Sequence, residues 1–343
     1  MTTASQQPEQ RPTPERVMEA FRGYQRTAAM RAAIELDLFT LIGEGKSSVP
    51  EIAAAARASE RGIRILCDNL AVQGFLNKTN AAYALAPDAQ VFLDRKSPSC
   101  INDAAAGFFA SQEVIRSFDS LADAVRKGGT AAQGHGMMDP NDPLWVDFAV
   151  SMVNVQRPMA FAIAKILNAE TGAPWKLLDV ASGHGLFGVT IAAKNPNAEI
   201  YSQDWAPVLE VAQKNADAGG VTARFHKIPG DAFKVDLGSD YDLVLLTNFL
   251  QLLDEAAIGG FLKKVHAALK PGGRVVTLGF IPNEDRISPP APAVFSLMML
   301  ATTPGGDAYT FSDYDRMFRA AGFKHSEPEP LPDAPQQLII STK

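Results

Sequence analysis

The segment Asp179-Val-Ala-Ser-Gly183-His-Gly185-Leu-Phe-Gly188 restricts the fold more than any other part of the chain. It follows a short apolar run, Lys176-Leu-Leu-Asp-Val180, and leads into a helical stretch, Leu186–Lys194. Its glycines have the GxGxxG spacing of a loop between a strand and a helix. Gly183 lets the chain turn sharply, Gly185 lets backbone approach a ligand, and Gly188 lets the helix pack on the strand. Alone, such a loop is shared by nucleotide and other adenosyl ligands. Further strands are expected at Ala198–Asp204, Ala223–Pro229, Tyr241–Asn248 and Gly273–Phe280, with helices at Pro207–Asp217 and Glu255–Leu269. Alternation of this kind predicts a mainly parallel sheet with helices on both faces. A helix, Ser312–Ala321, and two extended pieces, Phe323–Leu331 and Gln336–Thr342, would add an antiparallel hairpin on one edge.

The front half reads differently. Residues 1–13 are polar and Pro-containing, a disordered tail by composition. From Pro14 to Ile42 apolar residues recur at helical spacing. Ser48-Val-Pro-Glu51 is a capping box that opens an Ala-rich helix, and a second helix spans Ser59–Gly74. Phe75–Pro87 reads as a two-stranded wing turning at Lys78-Thr79-Asn80. Helix, helix, hairpin is a winged-helix order, for which DNA binding is one use and packing or dimerisation another. Glu60 and Asp68 stand among Arg61 and Arg64, so the second helix has no basic face, and phosphate neutralisation needs one. Residues 101–126 are again helical. Lys127–Pro143, with four glycines and two prolines, reads as a linker or lid loop containing His135. The expected division is therefore a tail (1–13), a helical domain (14–126), a linker (127–143) and an α/β domain (144–343).

Composition narrows the function classes. Two domains, or three small ones, fit 343 residues. With 38 acidic and 32 basic residues the net charge is −6, which speaks against nucleic acid as a partner. Two cysteines make no disulfide framework or Cys-rich zinc site, and the five histidines are scattered without metal-ligand spacing, so no metal is expected. No apolar run reaches 18 residues and no signal-like segment opens the chain, which points to a cytoplasmic protein without a membrane partner.

Four features recur at strand ends. Asp179 lies inside the first strand, where it can orient the loop and sit near a cationic group. Asp204 ends the second strand, where a carboxylate can take both ribose hydroxyls. Trp205 then offers a flat face for a purine. Gly230-Asp231-Ala-Phe233 closes the third strand, where an acid can accept an adenine amino group. Ligands bind at these ends in open α/β sheets.

With LLDVASGHG, Asp204, GDAF, YDLVLLTNFL and LKPGGRVV, the chain from about residue 14 to its end resembles the dimeric O-methyltransferases of plant caffeate type and their bacterial relatives. The resemblance implies an α/β protein. An N-terminal all-α winged-helix dimerisation domain would precede a Rossmann-like methyltransferase domain with a mainly parallel seven-stranded sheet. It also implies a homodimer, S-adenosylmethionine (SAM) as cofactor with S-adenosylhomocysteine as product, and a small-molecule acceptor. Cofactor roles carry over to Gly183, Gly185, Asp204, Asp231 and Phe233, with Asp179, Trp205 and Thr247 beside them.

The acid/base positions depart from that family. Its members place a histidine base after the fourth strand; here the position carries Gln251, whose amide does not titrate near neutral pH. The two positions of the orienting acids carry Gly279 and Ala308. Three explanations stay open. The acceptor needs no base, being a thiolate, an acidic phenol or a stabilised carbanion that the enzyme aligns. Another group serves, with His135, Asp254, Asp307 and Tyr309 as local candidates. Or the fold uses the cofactor for chemistry other than methyl transfer, or as a small-molecule-responsive regulator. The acceptor pocket is expected between the domains. Trp145, Phe148, Met152 and Gln156 would form one side, Asn248, Phe249 and Gln251 the floor, and Phe295, Met298, Met299 and Leu300 the cover. Such spacing equally describes a plain core. As a pocket it fits a flat, largely apolar and aromatic acceptor.

Overall fold

A computed structural model describes residues 12–131, 144–331 and 334–343. Packing divides the chain into two compact units, with the division between Asn102 and Asp103.

The first unit holds α1 (Glu15–Phe21), α2 (Gly23–Glu35), α3 (Leu38–Gly43), α4 (Val49–Ala56), α5 (Glu60–Val72), a hairpin of β1 (Leu76–Thr79) and β2 (Ala82–Leu85), and α6 (Pro87–Phe92). The apolar stretch from Pro14 to Ile42 is thus three helices. Asp37 takes a left-handed conformation, with φ of 54°, that ends the run. Ser48 caps α4 as its sequence implies: Glu51 Oε2 accepts from the Ser48 N–H at 3.0 Å and from its hydroxyl at 2.7 Å. The hairpin turns at Asn80-Ala81, later than Lys78–Asn80, because Lys78 and Thr79 pair with Tyr83 and Ala82 and Asn80 supplies the positive φ. Asp68 on α5 accepts from the Tyr83 hydroxyl at 2.6 Å and from Arg64 at 2.9 Å. Leu38, Phe39, Ile52, Ile63, Leu70 and Tyr83 form the buried centre, whereas Val17, Met18, Phe21 and Tyr24 lie exposed.

In the second unit, a helical turn, α7 (Asn102–Ala104), crosses from the first and a π-helical turn (Ala105–Phe109) follows, then α8 (Gln112–Asp119) and α9 (Leu121–Lys127). The segment 144–167 is two helices, α10 (Leu144–Ser151) and α11 (Val153–Ile166), parted by a turn at Met152. Pro158 within α11 has no N–H to give the preceding turn. Then come β3 (Lys176–Val180), α12 (Leu186–Lys194), β4 (Glu199–Asp204), α13 (Ala206–Ala218), β5 (Phe225–Pro229), β6 (Tyr241–Thr247), α14 (Glu255–Ala268), β7 (Leu269–Gly279), α15 (Pro290–Thr302), α16 (Phe311–Ala320), β8 (His325–Pro330) and β9 (Gln337–Thr342).

The seven strands run in the order β5-β4-β3-β6-β7-β9-β8. The first five are parallel, and β9 and β8 close the edge antiparallel, as the sequence pattern predicts. β7 begins four residues before the expected Gly273, because Leu269 already pairs with Tyr241 and the register then shifts to Leu243 opposite Arg274. Both sheet faces are covered. Leu178, Val244 and Leu246 join one core; Leu177, Leu243 and Leu245 join the other. This explains why these strands read as continuous apolar runs. The order reverses at β3, whose neighbours are β4 and β6, so a crevice opens at the C-terminal ends of these strands.

Candidate active site

The glycine loop is held by acids and amides at those strand ends. Asp179 is fully buried in β3, and its Oδ2 accepts from the Gly188 N–H at 3.2 Å. Its Oδ1 has no hydrogen-bond partner among the described residues. Burial pushes the Asp179 pKa up to about 8. A Cβ on Gly188 would stand 3.0 Å from both Asp179 Oδ2 and Ile200 Cγ2, which is why the helix meets the strand at a glycine. Gly183 and Gly185 both have positive φ, 54° and 69°. The Cβ direction of Gly183 is open, whereas that of Gly185 meets the Ala212 side chain at 2.8 Å. Open space for a ligand thus lies at Gly183, and Gly185 serves the contact with α13.

Asp204 stands between the loops. Its Oδ2 accepts from the Gly183 N–H at 2.8 Å and its Oδ1 from the Trp205 N–H at 2.7 Å. Burial raises its pKa to about 6. A carboxylate has about four lone-pair sites, so two backbone bonds leave room for further donors. Asp231 Oδ1 accepts from the Phe233 N–H at 2.9 Å, fixing the turn after β5, and the Phe233 ring stays 42% exposed, 5.1 Å from Phe261. Trp205 is the N-cap residue of α13 and packs, like Trp145, against the cluster of Ala149, Val208 and Val211. Thr247 is buried at the end of β6.

Two further residues, neither singled out by the sequence reading, shape the loop. Gln203, buried in β4, gives Nε2 to the Gly230 carbonyl at 2.6 Å, and its Oε1 accepts from the Ala181 N–H at 3.3 Å. It clamps the glycine loop to the Gly230–Phe233 turn. His184 is also buried; its Nδ1 accepts from the Leu186 N–H at 3.1 Å, and burial lowers its pKa to about 4, so the ring is neutral.

The acid/base region follows β6. Gln251 is buried, and its Oε1 accepts from the Phe280 N–H at 3.1 Å. A Cβ at Gly279 would lie 3.2 Å from that oxygen. Asn248 has φ of 56°, and its Oδ1 accepts from Gln336 Nε2 at 2.5 Å. The local alternatives to a histidine base are engaged elsewhere. Asp254 caps α14 through the Ala257 N–H at 2.8 Å. Asp307 accepts from the Ala308 N–H at 2.8 Å and pairs with Arg286 at 3.3 Å. Tyr309 donates to the Leu253 carbonyl at 2.8 Å, and burial, with Asp307 nearby, raises its pKa above the ordinary tyrosine value. His135 lies outside the described residues.

Of the residues expected to wall the acceptor pocket, Phe148 and Met298 join a cluster with Phe108 and Trp145, and the Phe108 and Phe148 rings sit 4.8 Å apart. Phe295 stacks on Phe280 at 4.0 Å. Met152, Gln156 and Met299 are buried, and Gln156 Oε1 has no partner among the described residues.

A family model for the O-methyltransferase domain matches residues 118–324, and one for the O-methyltransferase dimerisation domain matches residues 18–95. The chain belongs to the O-methyltransferase family.

A protein of Nostoc punctiforme PCC 73102, whose crystal structure has a provisional O-methyltransferase description, is 47% identical. Its TM-score is 0.94, covering 97% of this chain and 100% of that one. Human N-acetylserotonin methyltransferase, solved with SAM, has the same fold at 22% identity and a TM-score of 0.83, covering 98% and 99%. The 3-hydroxy-5-methyl-1-naphthoate 3-O-methyltransferase of Streptomyces sahachiroi is 25% identical over 310 residues, covering 88% of this chain and 86% of that one. The chain is a SAM-dependent methyltransferase with an α/β catalytic domain and a helical dimerisation domain.

The residues present fit that cofactor. The buried Oδ1 of Asp179 has no partner among the described residues, the crevice is open at Gly183, and Asp204 keeps free lone pairs. When bound, SAM supplies an electrophilic methyl group on a sulfonium. Among the described residues no helix is long and apolar enough to cross a membrane, and no group of three His, Cys, Asp or Glu could hold a metal ion.

Proposed function

We propose that this methyltransferase acts on the hydroxyl of a small aromatic molecule, as a homodimer. The observation that carries the reading is the apolar cluster that includes Phe108, Trp145, Phe148 and Met298, with the Phe280–Phe295 stack beside Gln251. Flat apolar acceptors fit surfaces of this kind. The naphthoate O-methyltransferase among the relatives supports an aromatic acceptor; O-methyltransferases predominate among the named relatives and favour oxygen, while an L-tyrosine C(3)-methyltransferase of Streptomyces lavendulae stands beside them.

The proposed roles follow the geometry. Asp204 holds the ribose hydroxyls, Asp231 and Phe233 flank the adenine, with Trp205 and Thr247 nearby, and Gly183 and Gly185 shape the loop beside the methionine part. Asp179, its free oxygen set below the loop, faces the cofactor's cationic end. Gln251 and Asn248 contact the acceptor. Phe148, Met152, Gln156, Phe295, Met298 and Met299 enclose it and exclude water, which sharpens electrostatic attraction between acceptor and methyl donor. We take 14–126 as the dimerisation half, of winged-helix order and without a nucleic-acid role, and 144–343 as the catalytic half. The cytoplasm fits a SAM-consuming enzyme. The apolar Val17, Met18, Phe21 and Tyr24 are exposed in one chain and suit burial against a second copy.

The test is incubation with methyl-labelled SAM and a panel of phenols, thiols and carbon acids. Label transferred to a phenolic oxygen supports the reading. Label only on sulfur or carbon, or none with any acceptor, overturns it.

A further inference from the structure

Gln251 sits where its carboxamide can donate but not remove a proton. Its Oε1 is taken by the Phe280 N–H, which can only donate, so the orientation of the amide is set and Nε2 is the remaining donor. No hydrogen-bond partner for Nε2 occurs among the described residues, and Nε2 is not among the sealed polar atoms. Gly279 leaves room for the arrangement: a Cβ there would lie 3.2 Å from Oε1, so the oxygen would have to give by a few tenths of an ångström. Ala308, fully buried, carries no charge toward the site. β3, β6 and β7 are parallel, so Gln251 and Phe280 lie at the same sheet edge as the glycine loop.

The carboxylates around this amide are each tied to another partner. Asp254 caps α14, Glu255 pairs with Arg316 at 2.8 Å, and Asp307 and Asp313 pair with Arg286. The Tyr309 hydroxyl donates to the Leu253 carbonyl, and Tyr314 is a buried phenol whose pKa burial raises, its hydroxyl 3.7 Å from where a Cβ on Gly279 would stand; a neutral phenol is a donor, not a base. Each of these carboxylates thus already accepts from a backbone N–H or a guanidinium.

We propose that Gln251 is a specificity-determining residue. Its Nε2 donates to the acceptor's oxyanion, so the enzyme selects aromatic hydroxyls that ionise by themselves near neutral pH: phenols acidified by electron-withdrawing groups, or enols conjugated to a carbonyl. This rests on the methyl-transfer reading above. The acceptor loses its proton to solvent before the step. In the step an oxygen lone pair forms the O–CH₃ bond, the S–CH₃ bond breaks, and its electron pair stays on sulfur, so no proton moves. An amide donor stabilises the ionised acceptor without needing a base.

The experiment measures kcat/KM against pH for substituted phenols whose own pKa values span the range from strongly acidified to ordinary. The rising limb is expected to shift with each acceptor's pKa. Gln251→Glu keeps the shape and the acceptor for the Phe280 N–H while replacing the donor by a negative oxygen. It is expected to lower kcat/KM for the acidic phenols about 10- to 100-fold, the range for losing a hydrogen bond to a charged group, with S-adenosylhomocysteine affinity retained. Gln251→Leu is expected to lose a similar factor. A limb fixed at one pH for every acceptor would mean that an enzyme group removes the proton, and would overturn the proposal. Wild-type kcat/KM in Gln251→Glu would do the same. Turnover with such a result removes this inference alone; no turnover with any acceptor removes the methyl-transfer reading and this inference with it.

Discussion

Replacing Asp204 by asparagine separates its two jobs. Both carboxylate oxygens accept backbone N–H groups, from Gly183 at 2.8 Å and Trp205 at 2.7 Å. Asparagine offers only one acceptor, and its NH₂ would face the other N–H. One charge-assisted bond lost at a buried site costs about 1.5–3 kcal/mol of stability. Cofactor affinity changes separately. If the remaining lone pairs hold ribose hydroxyls, one or two further charged bonds weaken, together about 2–4 kcal/mol. That corresponds to a rise in Kd of roughly 30- to 1,000-fold, since each 1.4 kcal/mol is tenfold. Thermal unfolding of the free protein reads the first effect and calorimetric titration with S-adenosylhomocysteine reads the second. A lowered Tm with unchanged Kd would refute the ribose assignment and leave Asp204 as a loop tether only.

The two raised carboxyls predict a pH signature. Asp179 and Asp204 bind protons more tightly folded than at their ordinary value of 3.8. Their stabilising contribution is therefore complete below about pH 4 and lost as pH rises through about 6 and about 8, which urea unfolding across pH reads. Cationic SAM should ionise Asp179, so binding at pH 7 releases up to about one proton, seen as an enthalpy that varies between phosphate and Tris buffers; equal enthalpies would remove Asp179 from the cation's side. Gln203→Leu orphans the Ala181 N–H and the Gly230 carbonyl, at about 1–3 kcal/mol each. It should lower both Tm and S-adenosylhomocysteine affinity, and a change in Tm alone would deny the clamp a role at the site. Light scattering should give twice the 36.8 kDa chain mass, and Phe21→Glu should shift it toward one; an unshifted dimer would place the interface away from α1.

The catalytic half was legible because its signals are backbone constraints. Gly188 is required by the 3.0 Å approach to Asp179 and Ile200, and the continuous apolar strands follow from a sheet covered on both faces. The Ser48–Glu51 cap was equally plain, being a local hydrogen-bond pattern. Gln203 was invisible, since a glutamine in a strand has no spacing of its own and becomes a clamp only when two loops close over it. The break at Met152 and the early start of β7 were missed because register and packing, not local propensity, set them. The sequence also shows Gln251, Gly279 and Ala308 as neutral. It could not show that the Gln251 oxygen is already taken, which leaves the donor as the amide's working end.

The most direct measurement is calorimetric titration of the full chain with S-adenosylhomocysteine, beside NAD. Micromolar binding of the adenosyl ligand at one site per chain, with no heat from NAD, is the predicted result. Absence of binding by S-adenosylhomocysteine would contradict the cradle built on Gly183, Asp204 and Asp231, and the methyl-transfer account with it.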